Sequence, residues 1–144
     1  MKTSLVTGAN RGIGLEYCRQ LQARGDQVVA VCREPSPELE ALGIRIESGV
    51  ELTEADAVAG LLLRLKGLKL DLVILNAGIL QSMGLSDLDA EAIRLQFEVN
   101  ALAPLQLSRA LVPQMPHGSK LILMTSRMGS VSYTHLTLPT TTPV

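Results

Sequence analysis

The sequence has few cysteines, almost no net charge and no long apolar run, and each of these features excludes a class of protein. Its formal net charge is -1 over 144 residues, whereas nucleic acids and anionic membranes are bound through concentrated positive charge. No apolar run reaches the roughly 18 residues that a bilayer-spanning helix needs. We therefore expect a small-molecule ligand, with neither nucleic acid nor membrane as a partner.

The two cysteines, Cys18 and Cys32, lack the spacing of a metal site, and no pair of histidines accompanies them. We expect two free, buried thiols in a reducing compartment, and no metal site. A glycine-rich segment begins at Gly8, too early for the apolar core of a signal peptide. The sequence thus predicts a cytoplasmic protein.

Short apolar runs alternate with amphipathic segments along the chain. Strands are predicted at Leu5–Val6, Val28–Cys32, Ile44–Ile46, Leu70–Leu75 and Lys120–Met124. Helices are predicted from Ile13 to Gly25, from Glu38 to Leu42, from a capping box at Thr53 and Asp56 through Leu65, and from Asp87 or Asp89 to about Leu111. Such alternation indicates an α/β protein with a doubly wound parallel sheet. Right-handed crossovers and a reversal after the third strand give the order 3-2-1-4-5.

The segment from Ser4 to Gly14, SLVTGANRGIG, forms the turn between the first strand and the first helix. Gly8 can adopt backbone angles closed to other residues, while Gly12 and Gly14 leave no side chain between the backbone and a bound pyrophosphate. The free N–H groups of the helix start favour an anion there. The turn therefore predicts a phosphate-binding site, to which we also assign Asn10, Arg11 and Ile13. On the glycines alone, a turn shaped by packing is an equally good interpretation.

Four motifs together identify a family. The T-G-x-x-x-G-x-G spacing at residues 7–14, Asn76-Ala77-Gly78, Asn100 and Ser126 follow one another as in the short-chain dehydrogenase/reductase family, which the chain resembles from residue 1 to about residue 130. The form of residues 125–130, TSRMGS, is similar to that of the sniffer-type carbonyl reductases and C-factor-like proteins.

This resemblance implies a Rossmann-type NAD(P)-binding domain over residues 1–130, without the later strands and helices of the family. It implies hydride transfer between a nicotinamide dinucleotide and a carbonyl or alcohol substrate. In the family, the serine matched by Ser126 binds the substrate carbonyl, and the asparagine matched by Asn100 holds a water of the proton relay. Whether the full-length protein forms a homo-oligomer is left open by the sequence.

Cofactor choice is decided where the second strand ends, since the adenosine ribose lies there. Cys32 stands where NAD-using members of the family carry an acid, Arg33 follows it, and Arg11 can reach the same region. Because a 2′-phosphate needs a cation, the two arginines favour NADP over NAD. Glu34 could instead turn inward and accept the ribose hydroxyl.

The resemblance gives three further segments a role. Glu51 and Leu52 stand where the family has its adenine-contacting aspartate and the next apolar residue, and Asn76, Ala77 and Gly78 let the backbone approach the cofactor ribose. A plain Asn-x-Gly turn is the alternative. Pro104 lacks the N–H that the Asn100 carbonyl would accept, so a kink would turn this carbonyl into the cleft. Solvent could satisfy it instead.

The family pattern stops after Ser126. No Tyr-x-x-x-Lys occurs, since Tyr17 precedes Leu21 and Tyr133 precedes Thr137 at that spacing. Residues 131–140 are similar to the in-frame translation of a transposase sequencing adapter, so we expect residues 131–144 to be a non-native or disordered tail. A natural threonine-rich extension is the alternative.

We expect an NADP-dependent oxidoreductase that is inactive as written, because the tyrosine and lysine that deliver the proton in the family are missing. A non-catalytic dinucleotide-binding or signalling protein with the same fold is the second hypothesis. A chain without stable function is the third.

Overall fold

The structure is a computed structural model, and it describes residues 1–126. The elements in chain order are β1 Thr3–Thr7, α1 Gly12–Arg24, β2 Gln27–Val31, α2 Pro37–Glu40, β3 Arg45–Glu47, α3 Ala55–Arg64, β4 Leu72–Leu75, α4 Ala90–Phe97, α5 Ala103–Leu111 and β5 Lys120–Leu123. The predicted tail and Tyr133 lie outside the described residues. Within residues 1–126, no helix combines the length and the apolar character needed to cross a membrane.

The five strands form one parallel sheet in the order β3-β2-β1-β4-β5. This confirms the predicted α/β architecture and strand order. The reversal of direction after β3 makes β1 and β4 neighbours, so their carboxyl ends open a crevice at the switch point. Predicted strand bounds are off by a residue or two: Leu70, for example, precedes β4 because its N–H donates to the Gln114 carbonyl at 2.9 Å rather than to a strand.

Helices cover both faces of the sheet, so adjacent strand residues enter different cores. Leu5 belongs to the core beneath α3 and α5, and Val6 to the core beneath α1. Both side chains are fully buried, which explains why the strands are continuous apolar runs. Cys18 and Cys32 are free and buried in the α1 layer as predicted, and burial, with a smaller contribution from Cys32, raises the pKa of Cys18 to about 11.

The helix ends follow local signals in two cases and not in a third. Gly25 closes α1 in the left-handed conformation, with φ 99°, and the Asp89 carboxylate caps α4 by accepting the Glu91 and Ala92 N–H groups. The predicted capping box at Thr53 is wrong. The N-cap of α3 is Glu54, which makes no side-chain cap. Thr53 therefore lies one residue before the helix start, and its hydroxyl donates to Glu51 Oε1 at 3.2 Å.

The predicted helix up to Leu111 is interrupted by a π turn at Glu98–Leu102, between α4 and α5. The Ala103 N–H donates to the Glu98 carbonyl, one residue farther than in an α-helix. Pro104 has no N–H, so the regular pattern cannot pass through Asn100. The kink predicted from this proline therefore takes the form of a wider turn, with Asn100 inside it.

A largely buried carboxylate joins the end of β3 to α3. Glu47 accepts hydrogen bonds from Arg45 Nη2 and Arg64 Nε, each at 2.9 Å. Burial by itself raises the pKa of Glu47, but the bonds and charges of the two guanidinium groups outweigh it, and the pKa lies below its ordinary value.

A carboxyl whose pKa is lower in the folded than in the unfolded chain stabilises the fold above the ordinary value of about 4.3 and ceases to do so as the pH falls through the folded value. We expect Glu47→Gln to lower the free energy of unfolding by about 1–2 kcal/mol at pH 7. The loss should shrink towards pH 3, which denaturant titrations at a series of pH values would measure. Glu40→Gln, at an exposed position of α2, is the control; equal losses for Glu47→Gln at pH 7 and pH 3 would contradict the argument.

Candidate functional site

A cleft of about 960 Å³ lies at the carboxyl edge of the sheet, where the turns after β1, β2 and β4 meet. Its volume lies in the range of sites that hold a cofactor. The predicted binding residues that line it are Gly8, Asn10, Arg11, Gly12, Ile13, Arg33, Glu51, Leu52, Asn76, Ala77 and Gly78. The structure thus brings residues from four separate segments of the sequence into one site.

The glycines of the first turn let it approach the turn after β4. A side chain at Gly8, where φ is 61°, would place its Cβ 2.8 Å from Ala77 Cα. Gly14 does not line the cleft, and a Cβ added there would lie 2.0 Å from the Gly8 carbonyl oxygen. At Gly12, with φ 56°, a Cβ would meet nothing within 4 Å. Gly8 and Gly14 are therefore required by packing, whereas Gly12 borders open space on the cleft.

Thr7 fastens the β4 turn to the β1 turn. Its buried Oγ1 accepts the N–H groups of Asn76 at 3.0 Å and Ala77 at 3.1 Å. In return, Asn76 Nδ2 donates to the Gly8 carbonyl at 3.2 Å. Our sequence reasoning assigned no function to Thr7, although a threonine as the last strand residue before the first glycine was the available signal.

Asn10 links the first turn to the loop after β2. Its Oδ1 accepts the Ser36 N–H, and Ser36 Oγ donates to the Asn10 carbonyl at 2.7 Å. Ser36 Oγ also caps α2 by accepting the Leu39 N–H at 3.2 Å. Ser36 is a second residue that sequence reasoning missed; its position between two prolines was the signal. These bonds fix the loop that brings Arg33 to the cleft.

Charges collect where the second and third strands end. The Arg33 guanidinium lies 3.5 Å from Glu51 Oε2, with 74% of its side chain exposed. Arg11 borders the same cleft from the first turn, and its side chain is exposed. Cys32, at the position where an acid would stand, is a buried thiol whose pKa burial raises. Glu34, the alternative acceptor for the ribose hydroxyl, is exposed and also lines the cleft. The strand end therefore presents a neutral thiol, two arginines, one of them paired with Glu51, and the carboxylate of Glu34.

The predicted catalytic residues flank the cleft and do not line it. The side-chain amide of Asn100 accepts the Ile79 N–H at 2.8 Å and donates to the Ile79 carbonyl at 2.7 Å, and Ile79 lines the cleft. Ser126 follows β5, which pairs with β4 in the register Leu123 to Leu75. Its exposed side chain thus lies at the same carboxyl edge of the sheet as Asn76.

The chemistry of the cleft fits a dinucleotide. Helix α1 begins at Gly12, and Arg11 at its N-cap provides no side-chain hydrogen bond. The first N–H groups of a helix are free donors at the positive end of its dipole, which suits a pyrophosphate. Open space beside Gly12 leaves room for that group, and the arginines lie at the end where the adenosine ribose would bind.

Comparison with known proteins identifies one family. Residues 2–141 match the family described as short chain dehydrogenase. The chain is 41% identical to the 1-hydroxy-2-glutathionyl-2-methyl-3-butene dehydrogenase of Rhodococcus sp. (strain AD45), over 91% of this chain and 59% of the relative. The solved structure of a carbonyl reductase from Pseudomonas aeruginosa PAO1 in complex with NADP superimposes with a TM-score of 0.85 at 36% identity, over 93% of this chain and 62% of that one.

An NADPH-bound carbonyl reductase from chicken fatty liver gives a TM-score of 0.78 at 29% identity, over 94% of this chain and 61% of that one. The chain therefore spans about three-fifths of the length of these relatives. Its matched residues include the glycine turn, the Asn76-Ala77-Gly78 turn and the helix of Asn100. This chain belongs to the short chain dehydrogenase family.

Proposed function

We propose that residues 1–130 form the dinucleotide-binding domain of an NADP-dependent oxidoreductase that acts on a carbonyl or alcohol substrate. The observation that carries the proposal is the cleft at the β1–β4 switch point, which Arg11, Arg33 and the neutral thiol of Cys32 all line. Since position 32 carries a thiol and not a carboxylate that would accept the ribose 2′-hydroxyl, the two arginines favour a 2′-phosphate. The NADP and NADPH of the two carbonyl reductase structures support this choice.

Each residue then has a definite task. The amide groups at the start of α1 bind the pyrophosphate, and Arg33 and Arg11 bind the 2′-phosphate. The backbone at Asn76, Ala77 and Gly78 borders the ribose, while Glu51 and Leu52 border the adenine. Bound NADP(H) supplies or accepts the hydride. The Ser126 hydroxyl donates to the substrate oxygen, and Asn100 holds the wall of the cleft and the water that serves the proton relay.

A non-catalytic dinucleotide-binding protein is the second candidate. The absence of a Tyr-x-x-x-Lys sequence favours it for the 144-residue chain. The two candidates share the cleft and differ only in turnover. Cytoplasmic location and the lack of a nucleic-acid partner stay predictions from the sequence.

Cofactor preference is tested at Arg33. Arg33→Ala should weaken NADPH binding about ten- to a hundredfold, because it removes a charge-assisted contact worth roughly 1.5–3 kcal/mol. NADH, which has no 2′-phosphate, should bind the variant and the wild type alike. Titration followed by nucleotide fluorescence would measure both affinities. Arg94→Ala, an exposed arginine on α4, is the matched control, and equal NADPH affinity in wild type and Arg33→Ala would refute the assignment.

The ion pair between Arg33 and Glu51 leads to a second prediction about cofactor preference. Because the Glu51 carboxylate competes with a 2′-phosphate for Arg33, Glu51→Gln should raise the ratio of NADPH to NADH affinity several-fold. In the Arg33→Ala background, the same substitution should change the ratio much less, so a double-mutant cycle would measure the coupling. Equal effects of Glu51→Gln in both backgrounds would contradict competition for Arg33.

Turnover separates the two candidate functions. Reduction of a carbonyl leaves an alkoxide that needs a proton, and loss of a positioned acid typically costs ~10² to 10⁴ in rate. The chain as written should oxidise no NADPH above background with aldehydes, ketones or quinones. A chimera in which residues 131–144 are replaced by the C-terminal part of a related reductase, Tyr-x-x-x-Lys included, should be active.

Ser126→Ala in that chimera should abolish the recovered activity, and Ser86→Ala, in an exposed turn, is its control. NADPH oxidation by the unaltered chain would disprove the inactive state. A chimera that binds NADPH but stays inactive would instead support the non-catalytic candidate.

A further inference from the structure

Two side-chain amides, one helical turn apart, hold the backbone that leaves the β4 turn. Besides the pair between Asn100 and Ile79, Gln96 Oε1 accepts the Gln81 N–H at 3.0 Å. Gln96 Nε2 donates to the Gln81 carbonyl at 3.5 Å and to the Ala92 carbonyl at 3.2 Å. Gln96 thus repeats at residue 81 the contact that Asn100 makes at residue 79. We call these two contacts the amide clasp.

The spacing of the clasp follows from the geometry of the two segments. An extended backbone advances roughly 6.6 Å in two residues, and a helix rises about 6 Å in four. The amides at positions 96 and 100 therefore meet the backbone groups at positions 81 and 79, respectively. The helix offers donors and acceptors where a neighbouring strand would otherwise provide them.

The segment depends on the clasp for its position. The backbone of residues 78–82 has no hydrogen bond to another backbone group among residues 1–126. Its side chains are largely exposed, with Leu80 86% exposed, so few apolar contacts hold it. At the cleft end, a Cβ on Gly78 would lie 3.2 Å from Asn100 Oδ1, so the glycine lets the Asn100 amide approach this backbone closely.

We propose that Gln96 is a positioning residue for the dinucleotide cleft. Gln96 itself does not line the cleft, whereas Gly78 and Ile79 do. By fixing Gln81, it limits the movement of the backbone two residues earlier and so keeps the cleft wall in place. For its ligand, this proposal rests on the proposed dinucleotide function; the clasp itself does not.

The test compares Gln96→Leu, which removes both bonds to Gln81, with Gln96→Glu, which keeps the acceptor and loses the donor. Gln106→Leu, an exposed glutamine on α5, is the matched control. Amide hydrogen exchange of the full 144-residue chain reports the clasp, and titration with NADPH reports the cleft. The amides of Val6 and Ile74, within the sheet, report the stability of the fold as a whole.

Gln96→Leu should speed exchange at Gln81 and Ile79 by about tenfold or more and weaken NADPH binding several-fold. Exchange at Val6 and Ile74 should stay as in the wild type. Gln96→Glu should restore most of the protection at Gln81, and Gln106→Leu should change neither readout.

Unchanged exchange at Gln81 in Gln96→Leu would overturn the clasp, whether or not the chain binds a nucleotide. Faster exchange with unchanged NADPH affinity would overturn the positioning role alone. If the wild type binds no NADPH, the proposed function and the positioning role both fail, while the exchange data still decide the clasp. If Gln96→Leu also speeds exchange at Val6 and Ile74, the fold as a whole is destabilised and Gln96→Glu becomes the deciding variant. Faster exchange at Gln81 in Gln96→Glu without weaker NADPH binding would then overturn the positioning role.

Discussion

The contact between the β1 turn and the β4 turn is the constraint on which the site depends. Strand pairing ends at these turns, and buried backbone groups that leave a ladder need other partners. The Thr7 hydroxyl accepts two of them, and the Asn76 amide returns one bond to Gly8. Any side chain at position 14 would clash with the Gly8 carbonyl. Because Gly14 has none, helix α1 can begin directly beside this contact, with its free N–H groups at the cleft.

The charged side chains around this contact are held less firmly than the two turns. The loop that carries Arg33 is fastened through Asn10 and Ser36, whereas its guanidinium is exposed and paired with Glu51. An exposed ion pair contributes little to stability. Arg33 can therefore exchange one anionic partner for another at small cost, which suits a residue whose function is to bind a phosphate.

The parts of the fold and site that follow from local pattern could be predicted, and the parts that follow from distant contacts could not. Apolar runs such as Leu72–Leu75 and the glycine spacing are properties of a short window, so the sheet order and most cleft residues were accessible from the sequence. Thr7 and Gln96 bind backbone groups outside their own segments. The place of Thr7 before the first glycine was its only signal, and nothing in the neighbourhood of Gln96 marks that residue. The cap predicted at Thr53 failed for a local reason, since α3 begins one residue later than the pattern indicates, with Glu54 at its N-cap.

The π turn after α4 also decides the phase of the helices on either side of it. In an unbroken α-helix, positions 96, 100, 107 and 111 would share one face, because successive residues are about 100° apart. The turn takes one residue more than usual, so the stripe of Leu107 and Leu111 is rotated by roughly a quarter of a circle relative to Gln96, which precedes the turn. The continuous helical segment formed by α4, the π turn and α5 thus places leucines in the core and amides against the backbone of the cleft wall. The leucines of α5 and the Asn100 amide belong to one unbroken helical run, so the packing of Leu107 and Leu111 in the core also sets the direction in which Asn100 faces.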